Sequence, residues 1–217
     1  MNKRALLAEF MGTFAMVFFG TGAAILEELH PGSVTGWGVA GAFGLVIMVM
    51  IYVFGPFSGA HFNPAVSMGF LLTGAITGVE FGAYLVAQFA GGIAASSLLA
   101  YIFPQSVNLG GTFFTIGLLP AFVLEVLLTF FLMLVILRIS AEGNWNALLS
   151  GFVIGSTVCL AALVVGPLTG ASMNPARSLG PALAAGRFEG LWIYLTAPFL
   201  GAAIAVGVDR IFQTGKK

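Results

Sequence analysis

One tripeptide, Asn-Pro-Ala, occurs twice in this chain, at Asn63-Pro64-Ala65 and Asn174-Pro175-Ala176, and the likeness extends well beyond it. The stretch Gly55-Pro56-Phe57-Ser58-Gly59-Ala60-His61-Phe62-Asn63-Pro64-Ala65-Val66-Ser67 matches Gly166-Pro167-Leu168-Thr169-Gly170-Ala171-Ser172-Met173-Asn174-Pro175-Ala176-Arg177-Ser178 at an offset of 111 positions. A chain that carries one helix-breaking element in each of two halves is constrained to fold as two copies of one unit. Echoes flank the motif. Glu9 with Thr13-Phe14 is answered by Glu125 with Thr129-Phe130, and Ala87-Gln88-Phe89-Ala90-Gly91 by Ala197-Pro198-Phe199-Leu200-Gly201.

The solvent of these units follows from their charge. Of 217 residues, 59% are hydrophobic and 7% charged, where a soluble domain needs about 25% charged residues to cover its surface. Lipid is therefore the main solvent. Runs of about 20 apolar residues give six spans, near 5–26, 34–55, 81–103, 117–139, 147–166 and 190–211. Two shorter segments, 63–72 and 174–184, follow Pro-Gly interruptions and read as re-entrant half-helices, too short to cross a core of about 30 Å. Their irregular ends must be enclosed by the other helices, because unpaired amides in lipid cost several kcal/mol each. Repeat one covers about 5–103 and repeat two about 117–211, within one domain of residues 1–217. Each holds three spans, an odd number, so the repeats run in opposite senses and their half-helices enter from opposite faces.

Six spans put both termini on one side. Lys3, Arg4, Arg138, Arg210, Lys216 and Lys217 fall there and Arg187 on the other, so the positive-inside rule makes the termini cytoplasmic in a multi-pass cell-membrane protein. Lys3-Arg4 before an apolar run also has the outline of a signal peptide. Glu9 within that run, its glycines and aromatics, and its mid-chain counterpart argue for a true span.

The motif has its own chemistry. Asn caps a helix and proline suits the first helical position, where its missing N–H sacrifices nothing. Two helix N-termini aimed at one point make a positive maximum at mid-membrane that opposes cations and protons. The amides of Asn63 and Asn174 can donate to a passing neutral molecule. The segments Ser58 to Phe62 and Thr169 to Met173 can offer carbonyl acceptors, at Gly59, Ala60, His61, Phe62, Gly170, Ser172 and Met173. Arg177 is costly in a membrane segment and reads as a fixed charge at the outer constriction. Glu9 and Glu125 read as braces that accept backbone N–H groups of the loop in their half. His61 orients the first loop, since no Cys, Asp, Glu or second His nearby would complete a metal site. His30 with Glu27 and Glu28 reads as a solvated outer loop, Cys159 as a packing residue, and Trp37, Trp192 and Tyr194 as interfacial anchors.

These paired motifs, AHFNPAVS and ASMNPARSLGP, resemble those of the major intrinsic protein family, the aquaporins and glycerol facilitators, and most of all its bacterial or archaeal members. The resemblance spans essentially the whole chain. It implies an all-α polytopic membrane protein, an aquaporin-like right-handed bundle of six transmembrane helices and two re-entrant half-helices in an inverted repeat. It further implies a homotetramer in membrane lipid with one passive pore per subunit, no cofactor and no nucleic-acid partner. Its aromatic/arginine filter maps onto Phe43, Ala162, Ala171 and Arg177. Water channels of the family usually carry His where Ala162 stands, and glycerol channels a second large aromatic where Ala171 stands, so this chain has neither arrangement. Ser178, Ala182 and Tyr194 resemble the water-selective group, whereas Leu195 departs from it. The expectation is a water channel with a relatively wide filter that excludes ions and protons and leaks small neutral solutes; the alternative is an aquaglyceroporin for glycerol or another small uncharged molecule.

Other classes compete on residues alone. An enzyme needs a nucleophile, base or metal cluster at useful spacing, and the sequence displays none. An ion-coupled secondary transporter also uses inverted repeats and broken helices, and would accumulate its solute against a gradient. An adhesive membrane junction would show adhesion without osmotic permeability.

Overall fold

The computed structural model describes residues 2–140 and 146–214, so Lys216 and Lys217, used above for orientation, lie outside the described residues. The helices run in the order α1 (Lys3–Leu29), α2 (Thr35–Ser58), α3 (Pro64–Thr73), α4 (Gly78–Ile102), α5 (Leu118–Ser140), α6 (Ala147–Thr169), α7 (Pro175–Ala185) and α8 (Leu191–Thr214). All except α3 and α7 are long and apolar enough to cross a membrane. The 10 and 11 residues of α3 and α7 reach only about 15 Å at about 1.5 Å per residue.

Local chemistry fixes the ends. Asn2 caps α1 through a 3.0 Å bond from the Arg4 N–H, and Thr77 with Glu80 forms a reciprocal capping box at α4. The breaks before the half-helices fall later than the Pro-Gly pairs suggested. Pro56 and Pro167 lie inside α2 and α6, which continue to Ser58 and Thr169. A proline there removes its own N–H bond and crowds the carbonyl four residues back, yet each helix runs on for two further residues. What stops the helix is Gly59 and Gly170 at φ 82° and 79°, whose N–H groups close back on the Gly55 and Gly166 carbonyls.

Within each half the first and last long helices pack together, α1 on α4 and α5 on α8, while α2 and α6 join the halves. Each half-helix also packs on the last long helix of the opposite half, α7 on α4 and α3 on α8. This exchange encloses the loops. Glycine permits it: a Cβ at Gly91 would strike the Phe10 carbonyl, and one at Gly201 the Val126 carbonyl. Between α2 and α6, a Cβ on Gly155 would sit 2.5 Å from the Gly44 carbonyl oxygen. With so little side chain between them, the backbones gain the close packing that drives helix association in lipid.

Polar and charged side chains are buried among the apolar ones of the interior. Glu9, Thr13, Gln88, Glu125 and Thr129 are fully buried, while Phe19, Phe131 and Phe152 are among the large apolar side chains exposed on the outside. Arg138 pairs with the buried Asp209 at 3.1 Å, and Arg210 donates at 2.8 Å to the Leu72 carbonyl near the C-terminus of α3. The basic groups at the ends of α5 and α8 thus tie helix ends together, and Arg210 meets the negative end of a half-helix dipole.

Candidate functional site

A cavity lies between the two halves, and both motifs line it. Phe43, Ala162, Ala171 and Arg177 border it, as do Asn63 and Asn174, the loop residues Gly59 to Phe62, and Ser172 with Met173. The expected lining is smaller in one respect. Gly170 caps α6 and is packed on Thr112 instead. Ala65 and Ala176 are wholly buried first-turn residues, as Pro64 and Pro175 are buried at N1, so these four shape the helix starts. The remaining wall is mostly apolar, including Ile47, Ile51, Val66, Leu132, Ile154 and Val158, with Ser140 its one further polar residue among the described residues. A molecule inside therefore meets few polar partners, most of them on the two loops and at Arg177.

The two Asn side chains are fixed at both ends. Asn63 Oδ1 accepts the Ala65 N–H at 2.9 Å, and Asn174 Oδ1 accepts those of Ala176 and Arg177 at 3.0 and 3.3 Å. With the carbonyl ends committed to their own helices, the amide NH₂ groups are aimed across the fold. Asn63 Nδ2 donates to the Met173 carbonyl at 2.7 Å and Asn174 Nδ2 to the Phe62 carbonyl at 2.9 Å. Each cap therefore ties its half-helix to the loop of the other half. One NH₂ hydrogen is spent on that tie; the second remains for the cavity at Asn63, whereas Asn174 Nδ2 also donates to Met16 Sδ at 3.5 Å, a weak acceptor on the cavity wall. Those two carbonyls, expected to be free acceptors, are already engaged by one donor each.

The loops need support because they are strained. Ala60, Phe62, Ala171 and Met173 have φ of 53°, 50°, 41° and 53°, values in the left-handed region that non-glycine residues adopt at a cost of about 1–3 kcal/mol each. Glu9 accepts the His61 and Phe62 N–H groups at 2.9 and 2.7 Å, the Ser58 hydroxyl at 2.7 Å and Gln88 Nε2 at 2.7 Å. Glu125 accepts the Ser172 and Met173 N–H groups, both at 2.9 Å, and the Thr169 hydroxyl at 2.7 Å. The two carboxylates thus hold the N–H groups of the alternating backbone in each loop. His61 bonds Ser67 Oγ through Nδ1 at 3.0 Å and stacks on Phe70, ring centroids 4.4 Å apart.

Arg177 is buried. Its guanidinium lies 4.7 Å from the Phe43 ring centroid, and Nη1 donates to the Gly110 carbonyl at 2.9 Å. Sequence reading missed Gly110, because nothing in the Gly110-Gly111 pair between α4 and α5 says which side chain a carbonyl there will meet. It also missed Tyr84, whose hydroxyl donates to the Ser58 carbonyl at 2.9 Å, and its counterpart Tyr194, which donates to Thr169 at 2.8 Å. Tyr194 is fully buried and so is no interfacial anchor, unlike the exposed Trp37 and Trp192. The loop at Glu27 and Glu28 is likewise more than solvated. Glu27 accepts the N–H groups of Gly32, Val34 and Thr35, because α1 runs on to Leu29 and delivers its carboxylate to that turn.

Among the described residues no three His, Cys, Asp or Glu side chains gather as a metal site would require. The arrangement offers instead a largely apolar cavity with oriented donors.

Comparison with known proteins points the same way. The family model described as Major intrinsic protein matches residues 1–208. Nodulin-26 from Glycine max is 42% identical over 209 residues, 96% of this chain and 77% of its own length. Aquaporin NIP1-2 from Oryza sativa subsp. japonica is 41% identical over 209 residues, 93% of this chain and 69% of its own. The solved structure of the aquaglyceroporin from Plasmodium falciparum superposes with a TM-score of 0.87 at 27% identity, covering 95% of both chains. Nodulin-26 and NIP1-2 are plant proteins, so the expected leaning toward bacterial or archaeal members is not supported.

Proposed function

This chain belongs to the major intrinsic protein family, and from that premise and its lumen we propose a passive pore for water, with a filter wide enough to leak small uncharged solutes. The observation that carries the reading is the pair of Asn caps. Both carbonyl ends are consumed by helix N–H groups and both amides donate across the centre. A water molecule at that point finds donors and must turn its oxygen toward them. Proton hopping needs each water to accept from one neighbour and donate to the next, so fixing both central donors breaks the relay. The meeting of two helix N-termini opposes cations at the same place.

The same reading assigns the filter to Phe43, Ala162, Ala171 and Arg177. Two alanines leave room where larger side chains would close the passage, which favours glycerol entry as the second reading, as does likeness to a protein described as an aquaglyceroporin. We further infer four copies of this chain in the cell membrane, each with its own pore and with both termini cytoplasmic. The closely packed backbones and a polar route contained in one subunit support that assembly.

Stopped-flow light scattering on proteoliposomes tests the reading. Osmotic shrinkage well above that of protein-free vesicles, with no solute accumulation against a gradient, is the expected result. Glycerol re-entry at a comparable rate moves the assignment to an aquaglyceroporin; shrinkage equal to empty vesicles refutes the pore, and accumulation against a gradient makes the protein a transporter.

A further inference from the structure

The outer loop between α4 and α5 connects a surface carboxylate to the buried guanidinium through consecutive bonds. Glu28, exposed on the last turn of α1, accepts the Ser106 hydroxyl at 2.7 Å and the Val107 N–H at 3.3 Å. Ser106 Oγ in turn accepts the Leu109 N–H at 3.1 Å. Leu109, with φ 47°, is buried against Ile25 and Leu99, and Gly110 follows with φ 63°. A Cβ on Gly110 would lie 2.6 Å from the Thr21 carbonyl oxygen, so the loop is seated directly on α1. That seating presents the Gly110 carbonyl to Arg177 Nη1 at 2.9 Å. Beyond it, the Thr112 hydroxyl donates to Ser178 Oγ at 2.9 Å, one residue past the arginine.

Two consecutive left-handed residues do not hold their shape unaided. Gly110 costs little there, whereas Leu109 needs its neighbours to impose the conformation. The hydrophobic seat supplies one restraint and the Glu28–Ser106 bond the other, a charge-assisted bond that outweighs an ordinary hydroxyl contact.

We propose that Glu28 is a positioning residue for solute selection: it holds the 106–110 turn from the outer surface, and the turn's Gly110 carbonyl sets where the Arg177 guanidinium stands in the filter. The inference rests on the assignment of Arg177 to the filter. Without the latch the carbonyl is free to withdraw, the guanidinium loses its fixed partner, and the passage beside Phe43 and the two alanines widens for larger solutes.

The test compares reconstituted wild type with Glu28→Ala, Glu28→Gln, Ser106→Ala, the Glu28→Ala/Ser106→Ala double variant and Arg177→Val. The readout is the ratio of glycerol to water permeability on the same vesicles, which is independent of how much protein inserts. Glu28→Ala is expected to raise the ratio about threefold, toward the low end of what coupled contacts transmit. Ser106→Ala should do the same, the double variant no more than either single change, and Glu28→Gln less because it keeps an acceptor oxygen. A ratio moved by Arg177→Val but unmoved by Glu28→Ala and Ser106→Ala overturns the latch and leaves the filter assignment standing. A ratio unmoved by all five overturns the filter assignment and the latch with it.

Discussion

The two re-entrant loops share one plan and differ in what completes it. Each has a buried glutamate on the first helix of its half, a left-handed glycine ending the preceding long helix, an Asn cap tied to the opposite loop, and a tyrosine holding the carbonyl before that glycine. The first loop adds Gln88 on Glu9 and an imidazole stacked on Phe70; Gln88 is replaced in the second half by Pro198. The second loop adds the Thr112–Ser178–Ser172 hydroxyl chain, and Arg177 stands where the first has the buried Val66. The common plan makes two symmetric central donors. The differences give the second half a buried cation where the first has an aliphatic side chain, so in the proposed filter selection by charge comes from one half only.

Breaking the plan should cost most. Glu125→Leu strands two backbone N–H groups and a hydroxyl, and Glu9→Leu strands one donor more, a loss on the order of 5 kcal/mol or greater for each at about 1–3 kcal/mol per stranded group. The thermal unfolding midpoint in detergent should fall further for Glu9→Leu; equal falls would make Gln88 irrelevant to the difference. Removing the asymmetry comes next. Arg177→Val should raise proton or cation leak by about tenfold, about 1.4 kcal/mol off the barrier. Ionic conductance unchanged from wild type would leave the central donors as the sole barrier.

Narrowing the wide side is a comparable test of size. Ala162→His should lower the ratio of glycerol to water flux by about tenfold, the lower end of what a shaped pocket discriminates. An unchanged ratio would remove Ala162 from the filter. Gln88→Leu sharpens the comparison more gently, costing about 2–4 kcal/mol as one bond to a carboxylate and one to Ser67 Oγ are lost. Its water flux should match wild type, since the second half functions without that amide. The smallest effect concerns mercury: with Ala171 in place of a thiol, water flux should be little inhibited, and Cys159→Ser should abolish whatever inhibition is seen.

Much of this architecture is legible in the sequence because duplication repeats the signal. Gly55 to Ser67 and Gly166 to Ser178 mark the same break twice, and Glu9 with Glu125 marks the same brace, so each copy vouches for the other. What the sequence conceals is contact between halves. That Asn63 reaches Met173, and Asn174 Phe62, depends on two helix starts meeting in space. Residues without a counterpart were hardest to read. Glu28 and Gly110 act on Arg177 through a loop whose conformation depends on Leu109 finding its seat against α1 and α4. Pro56 and Pro167 misplaced the helix ends by a few residues, since a proline near the end of a helix looks in sequence like the end itself.

The central claim is that two oriented amides admit water and stop protons. Proton flux driven by a pH gradient with the potential clamped, recorded on the same proteoliposomes as osmotic water flux, tests it most directly. The account predicts water flux far above empty vesicles with proton flux indistinguishable from them; proton flux that rises in step with water flux would contradict it.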